Sequence, residues 1–411
     1  MYHLVIIIYK IIQKTQELLS MKNKNPLTLK EKVNKRTELK GKNIKVWQIA
    51  SESGVDMTSN TLFRMQDCGT YLEFLSDKNI DNIKLGSANF CGNRFCPHCG
   101  ANKARKDALE LAILLEYINQ KYGYRFIFLT LTAPNVYSYD LENELKDYYK
   151  SFERLFKRKP VKAICKGYIR KLEMTYNVNE DTYHPHYHII LAVNGSYFDD
   201  SRLYINQKEW LQLWRDCKRD QVITQVDVRA VTQNNIAGAV EEMAKYIAKE
   251  SNYAYSIEVF RVFYKVLKGK RYFSFNGVFK EAHNKYKVGE LDCLKEKDDV
   301  EYVYKIIYEW NKNKYNLVDK RELTEEEKQK VNRSLEEIKV DKEKKRNKKA
   351  KLISDMAKIR KEKTDKLFRF RKKGGNDFTG EINFDKKEKE KLEKQIEFEK
   401  MVDKFNEVHG Q

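Results

Sequence analysis

Three of the chain's seven histidines fall within five consecutive positions, in "HPHYHII" at 184–190. Alternate residues of a β-strand share a face, so His184, His186 and His188 line one side while Pro185, Tyr187 and Ile189 line the other. Imidazoles repeated on one face can hold a metal ion; the bland alternative is a surface strand with solvated histidines. Same-face neighbours stand about 6.5–7 Å apart along a strand, so two rings can share one ion but three hardly can. His186 and His188, flanking the bulky Tyr187, are the better pair. A third ligand should come from the adjoining strand, where "RKLEMT" supplies Glu173. His184 is then an alternative ligand or a supporting group behind the other two.

A second set of ligand types lies upstream. Cys68, Cys91, Cys96 and Cys99 fall close together, the last three in "CGNRFCPHCG". Two cysteines separated by two residues form a knuckle whose thiolates grip one tetrahedral zinc, and Cys91 and Cys68 can complete the set. His98, between two ligands, is a poorer candidate. A redox pair is the competing reading, but no thioredoxin-like βαβ pattern surrounds it. Structural Zn2+ is favoured. Cys165, Cys217 and Cys293 are isolated and carry no expected role.

The third constellation is "EEMAKYIAKE". On a helix Glu242 and Tyr246 share a face, with Lys245 and Lys249 forming a basic stripe beside them. Tyrosine has a pKa near 10, so as a nucleophile it needs a base, a cation or a metal-held electrophile nearby. Alone, this helix reads as an ordinary amphipathic one. A histidine metal site in the same domain changes that balance.

The elements that must position these groups follow from periodicity. Residues 104–123 have apolar residues at helical spacing, and 124–134 alternate as a strand ended by Pro134. A second amphipathic helix follows, then "GYIRKLEMTYN" and "YHPHYHIILAV" as a hairpin joined by "VNEDT". A helix around Trp210 and Trp214, the strand "VITQVDVRAV" and a helix over 236–251 complete the series. The order predicts an α+β domain, a small antiparallel sheet with helices on one side. Residues 1–45 read as a basic flexible arm, 46–103 as a cysteine-rich zinc module, 104–255 as the α+β domain and 256–320 as a globular extension. More than half of the positions beyond 320 are charged, so 321–411 is expected to be a charged helical or disordered tail.

Composition points to the partner. The 411 residues carry 80 Lys and Arg against 60 Asp and Glu, a net charge of +20 that favours nucleic acid. Twenty-six Tyr and 20 Phe suit stacking on unpaired bases. The opening "MYHLVIIIYKIIQK" has an apolar run well short of the roughly 20 residues a membrane span needs. It reads as a buried strand or helix, or as untranslated leader if synthesis begins at Met21. No membrane partner and a cytoplasmic location are expected.

Together, "FCGNRFCPHC", "FLTLTAP", "RKLEMTYN", "HPHYHIIL", "AKYIAK" and "KGKRYFSFNGVFKE", in that order, resemble one known family. It is the Rep class 1 family of rolling-circle plasmid replication initiators of Gram-positive bacteria, within the HUH endonuclease superfamily. The resemblance spans roughly residues 68–280. It implies an RRM-like five-stranded antiparallel sheet in 104–255, the HUH endonuclease domain. It also implies Mg2+ or Mn2+ on His186 and His188, with Glu173 as the third ligand. Tyr246 matches the family's nucleophile, which leaves a 5′-phosphotyrosine and a free 3′-OH. Glu242 matches a glutamate thought to activate water in the terminating cleavage. The implied partner is plasmid origin DNA, single-stranded or cruciform at the nick site, with a host helicase as a further candidate.

Two competing functions remain in view. A mobilisation relaxase or single-strand transposase would use the same chemistry, but the cysteine knuckle before "FLTLT" favours an initiator. A non-catalytic zinc-containing DNA-binding repressor explains the charge and the cysteines, and leaves "HPHYH" and "EEMAKY" unaccounted for.

Overall fold

The computed structural model describes residues 27–332 except 233, 246–248, 272 and 296–299, together with 347, 351, 354, 355 and 358. The chain divides into two compact units, 1–339 and 340–411. Every element below belongs to the first unit; the described positions of the second are helical. The apolar opening and Tyr246 lie outside the described residues.

The first described element is α1 (Leu29–Glu52), started by a capping box between Thr28 and Glu31. This corrects the flexible arm expected up to residue 45, as far as that stretch is described. Two of its polar residues are buried: the Lys40 ammonium donates to the Gln66 and Cys68 carbonyls at 2.7 and 2.8 Å, and the Asn43 amide donates to the Met65 carbonyl. A hydropathy pattern does not register such burial, because the Lys40 ammonium and the Asn43 amide nitrogen donate to backbone carbonyls.

Next come α2 (Ser59–Asp67), then β1 (Tyr71–Ser76) and β2 (Ile83–Ala88) as an antiparallel pair. Helix α3 (Pro97–Tyr122) begins inside the cysteine motif, with Cys96 at its N-cap and Pro97 in its first turn. It therefore runs straight through the boundary expected at residue 103. The following elements keep the expected order: β3 (Arg125–Thr132), α4 (Leu141–Lys157) with the short α5 (Lys159–Ile164), β4 (Gly167–Asn177), β5 (Thr182–Val193), α6 (Gln207–Lys218), β6 (Val226–Val231) and α7 (Ile236–Ala244). The remainder is α8 (Glu250–Tyr253), α9 (Ile257–Leu267), β7 (Phe273–Gly277), α10 (Val278–Val288), β8 (Tyr304–Asn311), β9 (Lys314–Glu322) and α11 (Glu325–Val331).

Five strands form one antiparallel sheet in the order β6–β3–β5–β4–β7. Its fifth strand, β7, comes from the stretch expected to be a separate extension. Gly167 and Gly277 pair across β4–β7 at very close approach. A Cβ on Gly167 would lie 2.6 Å from the Asn276 carbonyl oxygen, so only glycine fits there.

Helices cover both faces of this sheet, a correction to the one-sided cover expected. On one face Leu129, Leu131, Tyr187, Ile189 and Leu191 pack with Tyr148, Phe152, Trp210 and Trp214 of α4 and α6. On the other, Phe126, Phe128, Ile190 and Ala192 pack with Leu114, Val240, Met243 and Phe279 of α3, α7 and α10. The cause is local: "FIFL" and "IILAV" are continuous apolar runs in the two central strands, and such runs need cover on both sides. Only at the far ends of these strands does one face turn polar.

A second, four-stranded antiparallel sheet has the order β2–β1–β8–β9. The expected 256–320 extension is thus no unit of its own, since it supplies β7 to one sheet and β8 and β9 to the other. A separation of more than two hundred residues between β1 and β8 leaves no local pattern by which a sequence could announce their pairing.

Candidate active site and cysteine cluster

The histidine strand sits where the alternation places it. On β5, Tyr187 faces the apolar side and makes edge-to-face contacts with Tyr148 and Phe152, centroids 5.4 and 5.5 Å apart. His184, His186 and His188 face the opposite side. Register then sets two polar rows across the sheet. Lys171, His188, Thr130 and Asp227 form one, from β4, β5, β3 and β6. Glu173, His186 and Thr132 form the next.

Within those rows Glu173, His186 and His188 bring their ligand atoms within 4.8 Å of one another. The Glu173 carboxylate lies 3.2 Å from His188 Nε2 and 4.0 Å from His186 Nε2. His184 does not join them; its Nε2 contacts the Thr132 hydroxyl instead. Glu242 does reach the group. Its Oε1 is 3.4 Å from His188 Nδ1, where the Thr130 hydroxyl also stands at 3.2 Å. His188 thus turns one nitrogen to Glu173 and the other to a carboxylate and a hydroxyl. Ligating histidines are commonly oriented in this way by a carboxylate behind the ring.

Burial decides the protonation states. It pushes the His186 imidazole down to about 4, with the neighbouring His188 charge adding to the effect, so His186 is neutral near pH 7 and its lone pairs are free to ligate. His184 is lowered too, by burial. For Glu173 burial acts upward, but the His188 hydrogen bond and the Lys171 charge outweigh it, and the carboxyl stays below its ordinary value. Lys171, 1% exposed, is pushed down to about 8 by burial against the pull of Glu173, 3.7 Å away. Two imidazole nitrogens and one carboxylate oxygen on a partly covered face make a donor set that fits a first-row divalent ion.

Helix α7 ends at Ala244, and Lys245 has left helical geometry. That corrects the continuous helix expected over 236–251. Nothing in "EEMAKYIAKE" breaks a helix, so propensity gave no warning. The shared helical face expected for Glu242 and Tyr246 therefore has no continuous helix to carry it. Lys245 and Lys249 are exposed on either side of residues 246–248.

Sequence patterns overlooked three groups at this centre: Lys171, Thr130 and Arg229. Lys171 and Thr130 were legible, since each stands opposite His188 once the strands are in register. Arg229 is different. Its guanidinium lies 4.6 Å over the Phe128 ring and pairs with Glu242, and β6 is linked to the histidine strand only through β3.

The four cysteines also converge. Cys68 ends α2, Cys91 follows β2, and Cys96 and Cys99 open α3. Sulfur separations are 3.5 Å for Cys68–Cys96, 3.6 Å for Cys91–Cys99 and 3.7 Å for Cys68–Cys99. Tetrahedral ligation with bonds of about 2.3 Å needs sulfurs roughly 3.8 Å apart. Backbone N–H groups of Gly92 and Asn93 point at the Cys99 and Cys91 sulfurs. Hydrogen bonds from the neighbouring thiols pull Cys99 down, while those same contacts push Cys68 and Cys96 up. A divalent ion held among the four sulfurs would favour the thiolate form of each. His98 is fully buried beside Gly69 and stays outside the cluster. Cys165, Cys217 and Cys293 are free and belong to neither site.

Comparison with known proteins decides the family. The model of a family described as "Replication protein" matches residues 82–318, more than half of the chain. The chain belongs to it, the Rep class 1 family of plasmid replication initiators. A "Protein rep" of Staphylococcus aureus is 53% identical over 194 residues, covering 47% of this chain and 84% of that protein. A "Protein rep" of Streptococcus pneumoniae is 31% identical over 264 residues (62% and 82% of the two chains), and one of Bacillus amyloliquefaciens 32% over 264 (57% and 77%). No solved structure matches the chain. Among the described residues of this initiator, no helix is long and apolar enough to cross a membrane.

Proposed function

We propose that this initiator is an HUH-type, metal-dependent endonuclease that nicks and rejoins origin DNA to start rolling-circle replication. The observation that carries the proposal is the convergence of Glu173, His186 and His188 on one sheet face, with Glu242 behind His188. Glu173, His186 and His188 would hold the ion, and of the two expected ions the imidazole-rich donor set suits Mn2+ better than Mg2+. Bound there, it supplies Lewis-acid polarisation of a phosphodiester.

Tyr246 is the proposed nucleophile. It is four residues beyond Glu242, a span of at most about 14 Å of chain, so its attachment point stays within reach of the centre. Its phenolic oxygen attacks phosphorus, the bond to the 3′ oxygen breaks, and that oxygen takes a proton. The products are a 5′-phosphotyrosine and a free 3′-OH able to prime synthesis. Glu242 orients His188 and is the group available to activate water when the displaced strand is released. The RRM-like superfamily fold is supported by the five-stranded antiparallel sheet. Cys68, Cys91, Cys96 and Cys99 would hold one structural Zn2+, and exposed Lys245 and Lys249 would contact DNA.

A nicking assay on supercoiled origin DNA, with and without Mn2+, tests this. Metal-dependent conversion to open circles with protein joined to a 5′ end is expected. Tight origin binding with no cleavage would instead favour the repressor reading.

A further inference from the structure

We propose that Arg229 is a phosphodiester-binding residue at the rim of the metal centre, held in the DNA-free protein by Glu242 and released to the backbone when DNA seats. This rests on the reading of the centre as a DNA-cleaving site.

The charge arrangement calls for such a group. Glu173 and Glu242 place two carboxylates where a phosphate must approach. Lys171 offsets part of that charge, but it is 1% exposed and its ammonium faces Glu173 and the Glu242 carbonyl. It cannot touch a strand of DNA. Arg229 belongs to the same ion-pair network and keeps 44% of its side chain exposed.

Its position is set from two sides. Arg229 stands opposite Phe128 across β3–β6, on the face that carries His188, and its guanidinium lies over the Phe128 ring at 4.6 Å. Phe128 in turn lies 5.6 Å from the His188 ring, tilted by 44°, so one phenyl ring borders both the guanidinium and the candidate ligand histidine. Glu242 takes Nη2, and Asp227 stands 3.5 Å from Nε. A guanidinium offers five donors in a planar fork matched to phosphate oxygens as well as to carboxylates. A backbone phosphate therefore competes with Glu242 for the same donors. Glu242 gives up Arg229 as DNA arrives, while its other oxygen stays beside His188.

The test compares wild type, Arg229→Ala, Arg229→Lys and the control Arg202→Ala, whose side chain is 88% exposed and paired with Asp200 away from the centre. Binding of a single-stranded origin oligonucleotide is measured against salt in EDTA. One lost phosphate contact lowers the slope of log affinity on log salt by about 0.7 for a single strand. Arg229→Ala should show that drop, while Arg229→Lys and Arg202→Ala should not. With Mn2+, Arg229→Ala should nick about 10²-fold more slowly, and Arg229→Lys should recover part of the rate. A wild-type slope together with a wild-type nicking rate in Arg229→Ala would overturn the proposal. So would an equal slope change in Arg202→Ala. Failure of the wild-type protein to cleave would defeat the nuclease reading, while the salt slope would still decide whether Arg229 touches phosphate.

Discussion

Glu173 and His186 stand directly opposite each other across the β4–β5 pair, carboxylate and imidazole 4.0 Å apart. Directly opposed residues of an antiparallel pair have Cβ atoms about 4.5–5.5 Å apart, so strand register rather than a loop sets the gap between these candidate ligands. A slip of one residue would turn one strand's ligands to the apolar face. The buried Tyr187 and Ile189 on that face guard against the slip.

Changing His186 to Ala removes one ligand and leaves the basic surface untouched. Metal-dependent nicking should fall by at least about 10²-fold, while duplex-origin binding stays near wild type, because phosphate contacts dominate affinity. Calorimetric titration with Mn2+ should lose its high-affinity step. Retained nicking would move the ion elsewhere.

Tyr246→Phe and Glu242→Gln should part company. The first keeps the ring and removes the nucleophilic oxygen, so labelled 5′ DNA should no longer become joined to protein. The second keeps a hydrogen-bonding group beside His188, so nicking and the covalent adduct should persist, with Mn2+ affinity weakened roughly 10-fold. Release of the displaced strand should fail, and replication in cells should accumulate overlong multimers. Unit-length circles from Glu242→Gln would leave that residue an orienting role alone.

The cysteine cluster predicts one zinc per chain by elemental analysis. Cys96→Ser should lose it and lower the melting temperature. Chelation should also loosen the β8–β9 hairpin, because Tyr315 donates to the Gly69 carbonyl, next to Cys68, and the Trp310 amide to that of Thr70. Amide exchange in 304–322 reads this directly. Unchanged protection in zinc-free protein would uncouple the two.

Lys171→Met leaves Glu173 buried without its cation. Breaking a buried pair by removing one partner costs roughly 3 kcal/mol, so the variant should melt several degrees lower in EDTA. Mn2+ should restore part of that loss, since an ion at the same carboxylate replaces the missing charge and stabilises the folded state. Equal melting of both proteins in EDTA would show that Lys171 is not the counter-charge.

Much of the centre was legible because strand chemistry has a period of two. "HPHYH" and "RKLEMT" yield the ligand face once the hairpin between them is drawn, and the knuckle cysteines announce themselves by spacing. What sequence concealed is non-local. The β1–β8 and β4–β7 pairings join distant segments, so β7, β8 and β9 were grouped as one extension. Arg229 looked like any exposed arginine, because its importance comes from a neighbour two strands away. Burial of Lys40 and Asn43 hid α1 behind a polar composition, and the break after Ala244 has no marking residue.

The five-stranded domain is inserted in the chain between the two halves of the other sheet. Strand β1 waits for β8 as its partner, and β8 lies some two hundred residues later. During synthesis, the edge of Tyr71–Ser76 therefore stays open until the five-stranded domain has emerged from the ribosome. A chain stopped near residue 300 would carry every candidate active-site residue together with a bare strand edge prone to pairing with other chains. Premature termination should thus give aggregates rather than a free five-stranded domain, which makes synthesis through β8 a condition for displaying the candidate site in soluble form.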